Sequence, residues 1–365
     1  MDKNNFSITN PNIGVVNGFS IEYLDDIREV FDDLPSLGIF NPYVLLDLLV
    51  ERKMNHLKEF LNKKGNILIF NYNKEKLNYN FKMNGHKIYN LKKHLKDGSY
   101  HDIFMVEKNE NIVNMVLRKQ KDSTRIDFFD SCSDFFIHGF LSKYYKKILD
   151  TDMVIPRIDY LGINTKGNKF MGIMNLYKGT VFDILVNKDI KNKVKKNIIF
   201  KCLEQIAFNL ITLQERFEFN HNDMKVNNIF YLLNNNDEDL KDVKFYLGDF
   251  GFSRIKVIHP KTKEIVNLIG GALLNYSKDE ELYSFIPSKD LYFLMYNIYV
   301  YSNSELKKSL DFLFYDLGNF DQELTTKDKW LQIYDDKIVR ENYKPNNFLN
   351  ILHSNKYAKK YLSEP

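Results

Sequence analysis

The stretch His221-Asn222-Asp223-Met224-Lys225-Val226-Asn227-Asn228 opens directly onto the apolar run Ile229-Phe230-Tyr231. A second short run, Val243 to Leu247, ends on Gly248-Asp249-Phe250-Gly251. Both runs are short, apolar and bounded by polar residues, so Ile229 to Leu233 and Val243 to Leu247 are predicted strands. The polar run Asn234 to Asp239 between them is a predicted solvated loop. Taken singly, a His-x-Asp or an Asp-Phe-Gly is common by chance, and one aspartate in a loop is usually a turn former. The information lies in their order and spacing.

In that order and spacing the segment resembles the eukaryotic-type protein kinases, whose catalytic loop reads H-R-D-x-K-x-x-N and whose metal-binding motif reads D-F-G. His221, Asp223, Lys225, Asn228, Asp249, Phe250 and Gly251 all match. The resemblance implies an α+β, bilobal fold with a small strand-rich N-lobe and a larger helical C-lobe. It also implies chemistry. Phosphoryl transfer passes through a loose, highly charged transition state, so positioning and charge neutralisation do most of the work. Asp223 would accept the proton of the substrate hydroxyl, and Lys225 would offer its ammonium to the γ-phosphate. Asn228 and Asp249 would hold Mg2+, or Mn2+ in its place, because such ions take hard oxygen ligands and keep several waters.

Upstream matches are thinner. Lys96-Asp97-Gly98-Ser99-Tyr100-His101-Asp102-Ile103 sits where the phosphate-covering loop G-x-G-x-x-G-x-V of that family would lie. Only Gly98 keeps its glycine; Lys96 and His101 take the other two positions, and Ile103 stands for the valine. Met115-Val116-Leu117-Arg118-Lys119 resembles the strand that carries the ATP-binding lysine. Two registers fit it. The three aliphatics before Arg118 point to Arg118, whereas the chemistry prefers Lys119, which is the expectation adopted. Arginine would keep the charge but not the compact ammonium. The following helix, Phe128 to Leu149, has no glutamate to pair with that cation. Asp134 is the best substitute and Asp130 the second. Gly172 to Tyr177 resembles the hinge between the lobes, with Met174 behind the adenine and the backbone of Asn175 to Tyr177 along its edge. Asp290 would brace the catalytic loop.

Other departures restrict the regulation. Asn222 replaces the arginine that usually meets an activation-loop phosphate, so switching by loop phosphorylation is not expected. No A-P-E follows Gly251. These departures resemble the divergent kinases of large DNA viruses and the haspin-like branch.

The rest of the chain sets bounds. Its 365 residues can bury a sizeable core without disulfide or metal staples. With 44% hydrophobic and 27% charged residues, a wholly disordered chain is excluded. Lysine plus arginine is 52 against 48 for aspartate plus glutamate, a net charge of +4. That is too mild to announce a nucleic-acid or membrane-surface partner. Cys132 and Cys202 stand far apart, so a reducing compartment is expected. The polar N-terminus MDKNNFSITN predicts no secretory signal. Leu291 to Tyr301 is too short to span a bilayer and is a predicted buried helix. Location is therefore expected to be intracellular, cytoplasmic by default, or host cytoplasm or virion if the viral resemblance holds.

Three parts are expected: an extension over 1–90, an N-lobe over 91–174 and a C-lobe over 175–365. Within the extension, Tyr43 to Leu61 has helical periodicity starting at Asn41-Pro42, and Asn66 to Met83 alternates like strands with a turn at Asn84-Gly85. The stripe Ile199, Leu203, Ile206, Leu210 and Leu213 makes Ile198 to Phe217 an amphipathic helix. The function implied is an ATP-dependent serine/threonine kinase acting on a protein substrate. The alternatives are a pseudokinase scaffold and a small-molecule kinase.

Overall fold

The computed structural model of the chain describes residues 15–16, 19–63, 66–70, 80–83, 86–97, 101–108, 111–121, 128–149, 154–164, 169–233, 243–272, 284–318 and 327–362. Gly98, the Asn84-Gly85 turn and the run Asn234 to Asp239 lie outside them.

A pair of two-residue strands, Val15–Val16 and Phe19–Ser20, precedes three α-helices: α1 (Ile21–Asp33), α2 (Pro42–Val50) and α3 (Met54–Asn62). The start of α2 is the expected one. The Asn41 side chain accepts from the Val44 amide, and Pro42 takes the first turn, where a missing N–H leaves no bond unmade. The single helix expected over Tyr43 to Leu61 is instead two. The chain turns at Glu51-Arg52-Lys53, with Arg52 left-handed at φ 53°. The break returns Leu57 and Leu61 to the same core that takes Leu45 and Leu49.

Seven strands follow: β1 (Leu68–Phe70), β2 (Asn80–Met83), β3 (His86–Asp97), β4 (His101–Lys108), β5 (Asn111–Gln120), β6 (Ile158–Asn164) and β7 (Phe170–Asn175). They form one sheet in the order β1-β6-β7-β5-β4-β3-β2. The β1–β6 pair is parallel and the others antiparallel. Strands β4 and β5 are an antiparallel pair, with Lys108 opposite Asn111. Helix α4 (Phe128–Ile148) leads from β5 to β6.

Helix α4 is gripped from two sides. From the N-terminal side, Phe31 of α1 meets Phe136 and Phe140 at 6.2 and 5.7 Å. From the C-terminal part, Phe217 meets Phe140 and Tyr144 edge-on at 5.4 and 4.8 Å. Each such pair adds about 0.5–1.5 kcal/mol beyond the area it buries. The helix that carries Asp134 is thus tied to both parts of the molecule.

The C-terminal part is mostly helical. Helix α5 (Val181–Val186) begins in a reciprocal cap between Thr180 and Asp183. Helix α6 (Asn192–Phe217) buries the whole expected stripe. It starts earlier than Ile198 because Lys195 lies in its buried face and sends its ammonium to the Leu185 carbonyl at 2.8 Å; a charged residue hides that turn from a hydrophobic count. The two expected strands, β8 (Ile229–Leu233) and β9 (Val243–Leu247), pair antiparallel, Ile229 opposite Leu247. A hairpin of β10 (Arg254–Ile258) and β11 (Ile265–Ile269) follows, then α7 (Lys289–Tyr301). The helices Ser304–Asp316, Lys327–Tyr334, Lys337–Asn342, Pro345–Ser354 and Lys356–Leu362 complete this part. The fold is α+β, a strand-rich N-terminal sheet followed by a helical C-terminal part, as the sequence implied. Among the described residues no helix is long and apolar enough to cross a membrane.

Candidate active site

The loop that precedes β8 is held from beneath. Asp290, in the first turn of α7 and 1% exposed, accepts the backbone N–H groups of His221 and Asn222 at 2.8 and 2.9 Å and the Asn220 amide at 3.1 Å. A buried carboxylate is stable when donors surround it in this way. Asn222 is left-handed at φ 60°, a conformation asparagine tolerates better than most residues. Its side chain donates to the Phe252 carbonyl and accepts from Lys289, both at 3.0 Å. The position where the family carries an arginine is here a tie between this loop and the turn after Asp249.

Two further bonds set Asp249 beside the loop. His221 Nε2 bonds the Gly248 carbonyl at 3.0 Å; a carbonyl only accepts, so Nε2 carries the proton. The Gly248 amide donates to the Asn228 carbonyl at 2.8 Å. Asp249 follows at φ 68°, a strained conformation of the kind that gathers at functional sites.

Three of the predicted residues meet directly. Lys225 Nζ lies 2.6 Å from Asp223 Oδ2. Asn228 Nδ2 donates to both the Asp223 carbonyl and its Oδ2 at 3.0 Å. The carboxylate can only accept, so the amide nitrogen faces it and Asn228 Oδ1 is left as an acceptor. With the Asp249 carboxylate alongside, whose cation contact among the described residues is Arg118 at 3.8 Å, the donor set is two hard oxygens. That suits Mg2+, which completes its shell with water and phosphate.

The upper wall comes from β5 and α4. Neighbouring residues on a strand face opposite ways, and here Arg118 faces inward while Lys119 does not. Arg118 Nη2 lies 2.6 Å from Asp134 Oδ2, with both side chains almost fully buried. Lys119 lies 3.5 Å from Asp102 and over the Phe104 ring. The register adopted is the one the aliphatic run pointed to, not the one preferred on chemical grounds. Asp134 also accepts the Phe250 amide at 3.0 Å. Burial pushes the Asp134 carboxyl up, and Asp249 adds to this, while Arg118 and the Phe250 amide oppose it. Asp130, the second choice, lies against Gly271, where a Cβ would come within 2.2 Å of its carboxylate.

The remaining predicted residues are placed by strand register, a backbone bond and ring contacts. Ile103 is opposite Arg118 in the β4–β5 register. Met174 is buried at the end of β7, opposite Val116 and Ile158. The Asn175 amide bonds the Arg157 carbonyl at 3.4 Å. Tyr177 stacks on Phe230 at 5.4 Å and meets Tyr246 at 4.8 Å. A separate recess of about 270 Å³, lined by Ser36, Lys143, Arg157 and Asp159 among others, contains none of these residues.

Two histidines join the site: His101, which the sequence placed only as a stand-in for a glycine, and His138, which it had not singled out. His138 stands four residues after Asp134, on the same helix face, a spacing visible in the sequence. Its ring packs against Phe250 at 4.9 Å, and its Nε2 donates to the Pro156 carbonyl at 2.8 Å. His101 bonds Arg118 Nη2 through Nδ1 at 3.2 Å. The strands beyond Phe252 are also close: a Cβ on Gly270 would lie 2.2 Å from the Gly251 carbonyl oxygen, and Ser133 of α4 donates to the Ile269 carbonyl at 2.6 Å.

No protein-family model and no curated protein sequence matches the chain. Among solved structures it is similar to the BubR1 kinase domain, at 13% identity over 89% of this chain and 98% of that one, with a TM-score of 0.46. It is also similar to vaccinia related kinase 3, at 14% identity over 55% of this chain and 56% of that one, with a TM-score of 0.36. At such values neither likeness decides what the chain does.

His138 gives the site a pH signature. Burial, aided by the Arg118 charge, lowers its pKa from 6.5 to about 3. Between those values the unfolded chain binds a proton that the folded chain refuses. Its contribution is therefore complete above about pH 6.5 and is lost as pH falls towards 3, at up to about 1.4 kcal/mol per pH unit. Denaturant unfolding across this window should show His138→Phe losing stability less steeply than the wild type on acidification. Parallel slopes would contradict a neutral, buried imidazole.

Proposed function

We propose that the chain is an ATP- and magnesium-dependent protein kinase that phosphorylates serine or threonine hydroxyls. The observation that carries this is the contact of Asp223 with Asn228 and Lys225 beside Asp249. Asp223 Oδ2 accepts the proton of the attacking hydroxyl and aims it in line with the γ-phosphate. Lys225 offers its ammonium to the same phosphate, and its place two residues after Asp223 favours a serine or threonine acceptor over tyrosine. Mg2+, or Mn2+ in its place, held by Asn228 Oδ1 and the Asp249 carboxylate would neutralise phosphate charge. Arg118, set by Asp134, replaces the usual lysine at the phosphates. Met174 and the hinge backbone from Asn175 to Tyr177 receive the adenine under Ile103. Placement among viral or haspin-like kinases rests on the sequence resemblance alone.

A nucleotide-binding module without turnover is the rival, favoured by an arginine in the inward position and by the lost glycines near Gly98. Phosphate transfer from labelled ATP to a mixed peptide library separates the two. Wild type should transfer phosphate, and Asp223→Ala should cut turnover by roughly 10²–10⁴-fold, the usual contribution of a general base, with nucleotide affinity near normal. Transfer to small molecules but not to peptides would move the assignment to a small-molecule kinase. Nucleotide binding with no transfer from wild type would move it to the rival.

The two neighbouring cations should also separate. Arg118→Met should weaken Mg-ATP binding strongly and Lys119→Met little, measured by nucleotide titration. A larger loss in Lys119→Met would put the wrong residue at the phosphates.

A further inference from the structure

The guanidinium of Arg118 only donates, and its charge is permanent. Its Nη2 carries two hydrogens, and both have partners: Asp134 Oδ2 at 2.6 Å and His101 Nδ1 at 3.2 Å. Nδ1 is therefore the acceptor, and a neutral ring then holds its proton on Nε2. That Nε2 is sealed from solvent, with no hydrogen-bond partner among the described residues. One aromatic ring supports both side chains: Arg118 lies over Phe135 at 4.9 Å, and His101 stands edge-on to it at 5.6 Å and 88°. Burial and the Arg118 charge hold the His101 pKa well below its ordinary value, so the ring remains an acceptor at neutral pH. Nη1 and Nε of Arg118 have no hydrogen-bond partner among the described residues. Asp249 Oδ1 waits 3.8 Å from Nη2, beyond hydrogen-bond reach.

We propose that His101 is a positioning residue: by accepting from Nη2 it holds the Arg118 guanidinium off the Asp249 carboxylate and leaves Nη1 and Nε for the oxygens of a nucleoside triphosphate. This rests on the phosphotransfer function proposed above and extends it to the first residue of β4. Without the acceptor, the second Nη2 hydrogen is free to swing to Asp249 and compete there with the metal. A position where the family has glycine thus supports the cation with a side chain, where a glycine would have left only backbone.

The test uses the full chain with two variants, both checked for an unchanged melting temperature. His101→Leu removes the acceptor; His101→Asn restores one near the place of Nδ1. His101→Leu should bind Mg-ATP about ten-fold more weakly, the scale of one charge-assisted hydrogen bond, and should need more Mg2+ for half-maximal binding. His101→Asn should stay within about three-fold of wild type on the same scale. Nitrogen-15 NMR of the histidine rings, without nucleotide, should find His101 as the Nε2–H tautomer. An Nδ1–H ring, a His101→Leu chain that binds as wild type does, or a His101→Asn chain as weak as His101→Leu would each overturn the role of His101 while the kinase assignment stands. A wild-type chain with no measurable nucleotide affinity would overturn both.

Discussion

One buried carboxylate joins the parts of this molecule that chemistry needs together. Asp134 reaches from α4 to Arg118 on β5 and to the Phe250 amide in the turn after Asp249. Taking both charges of the Arg118–Asp134 pair out of water costs several kcal/mol per ion, and their attraction offsets this only with good geometry and further donors. The short contact and the Phe250 amide supply that geometry. The yield is registration more than stability: strand, helix and the turn after Asp249 have one relative placement that satisfies all three groups.

Much of the remaining structure keeps that placement. Phe31 and Phe217 hold α4 from either side, and His138 packs under Phe250. Asp290 fixes the loop carrying Asp223 through backbone amides. The β10–β11 hairpin is tied as well. Glu218 approaches Lys256 and Arg254 at its base. At its tip, His259 Nε2 comes within 3.1 Å of Asp47 Oδ1 in α2, without the geometry of a hydrogen bond. Lys261 sits 4.0 Å over Tyr43. Two carboxylates and an N-terminal helix thus hold the β10–β11 hairpin.

The loop from His221 to Asn228 was legible because its order and spacing relative to Asp249-Phe250-Gly251 are distinctive and the flanking strands are strongly patterned. The choice between Arg118 and Lys119 was not, because a shift of one residue along a strand reverses every side chain. Partners decide it, Asp134 on one face and Asp102 on the other, and partners are tertiary. His138 was within reach of a helix-face count from Asp134. The hairpin after Phe252 was missed although Ile255, Val257, Val266 and Leu268 alternate across it. Its turn depends on the His259 ring, which accepts the Lys261 and Thr262 amides, and no turn propensity encodes that. The break at Arg52 and the early start of α6 at Asn192 follow from what the core accepts, since Lys195 is buried against local preference.

The central claim is that Asn228 and Asp249 hold a divalent ion on a nucleotide beside Asp223. Electron paramagnetic resonance of Mn2+ with a non-hydrolysable ATP analogue measures this directly. The wild-type chain should bind Mn2+ only together with the nucleotide, and Asp249→Ala should abolish that binding while the fold melts as before. Equal Mn2+ binding by wild type and Asp249→Ala, or none by wild type with nucleotide present, would contradict it.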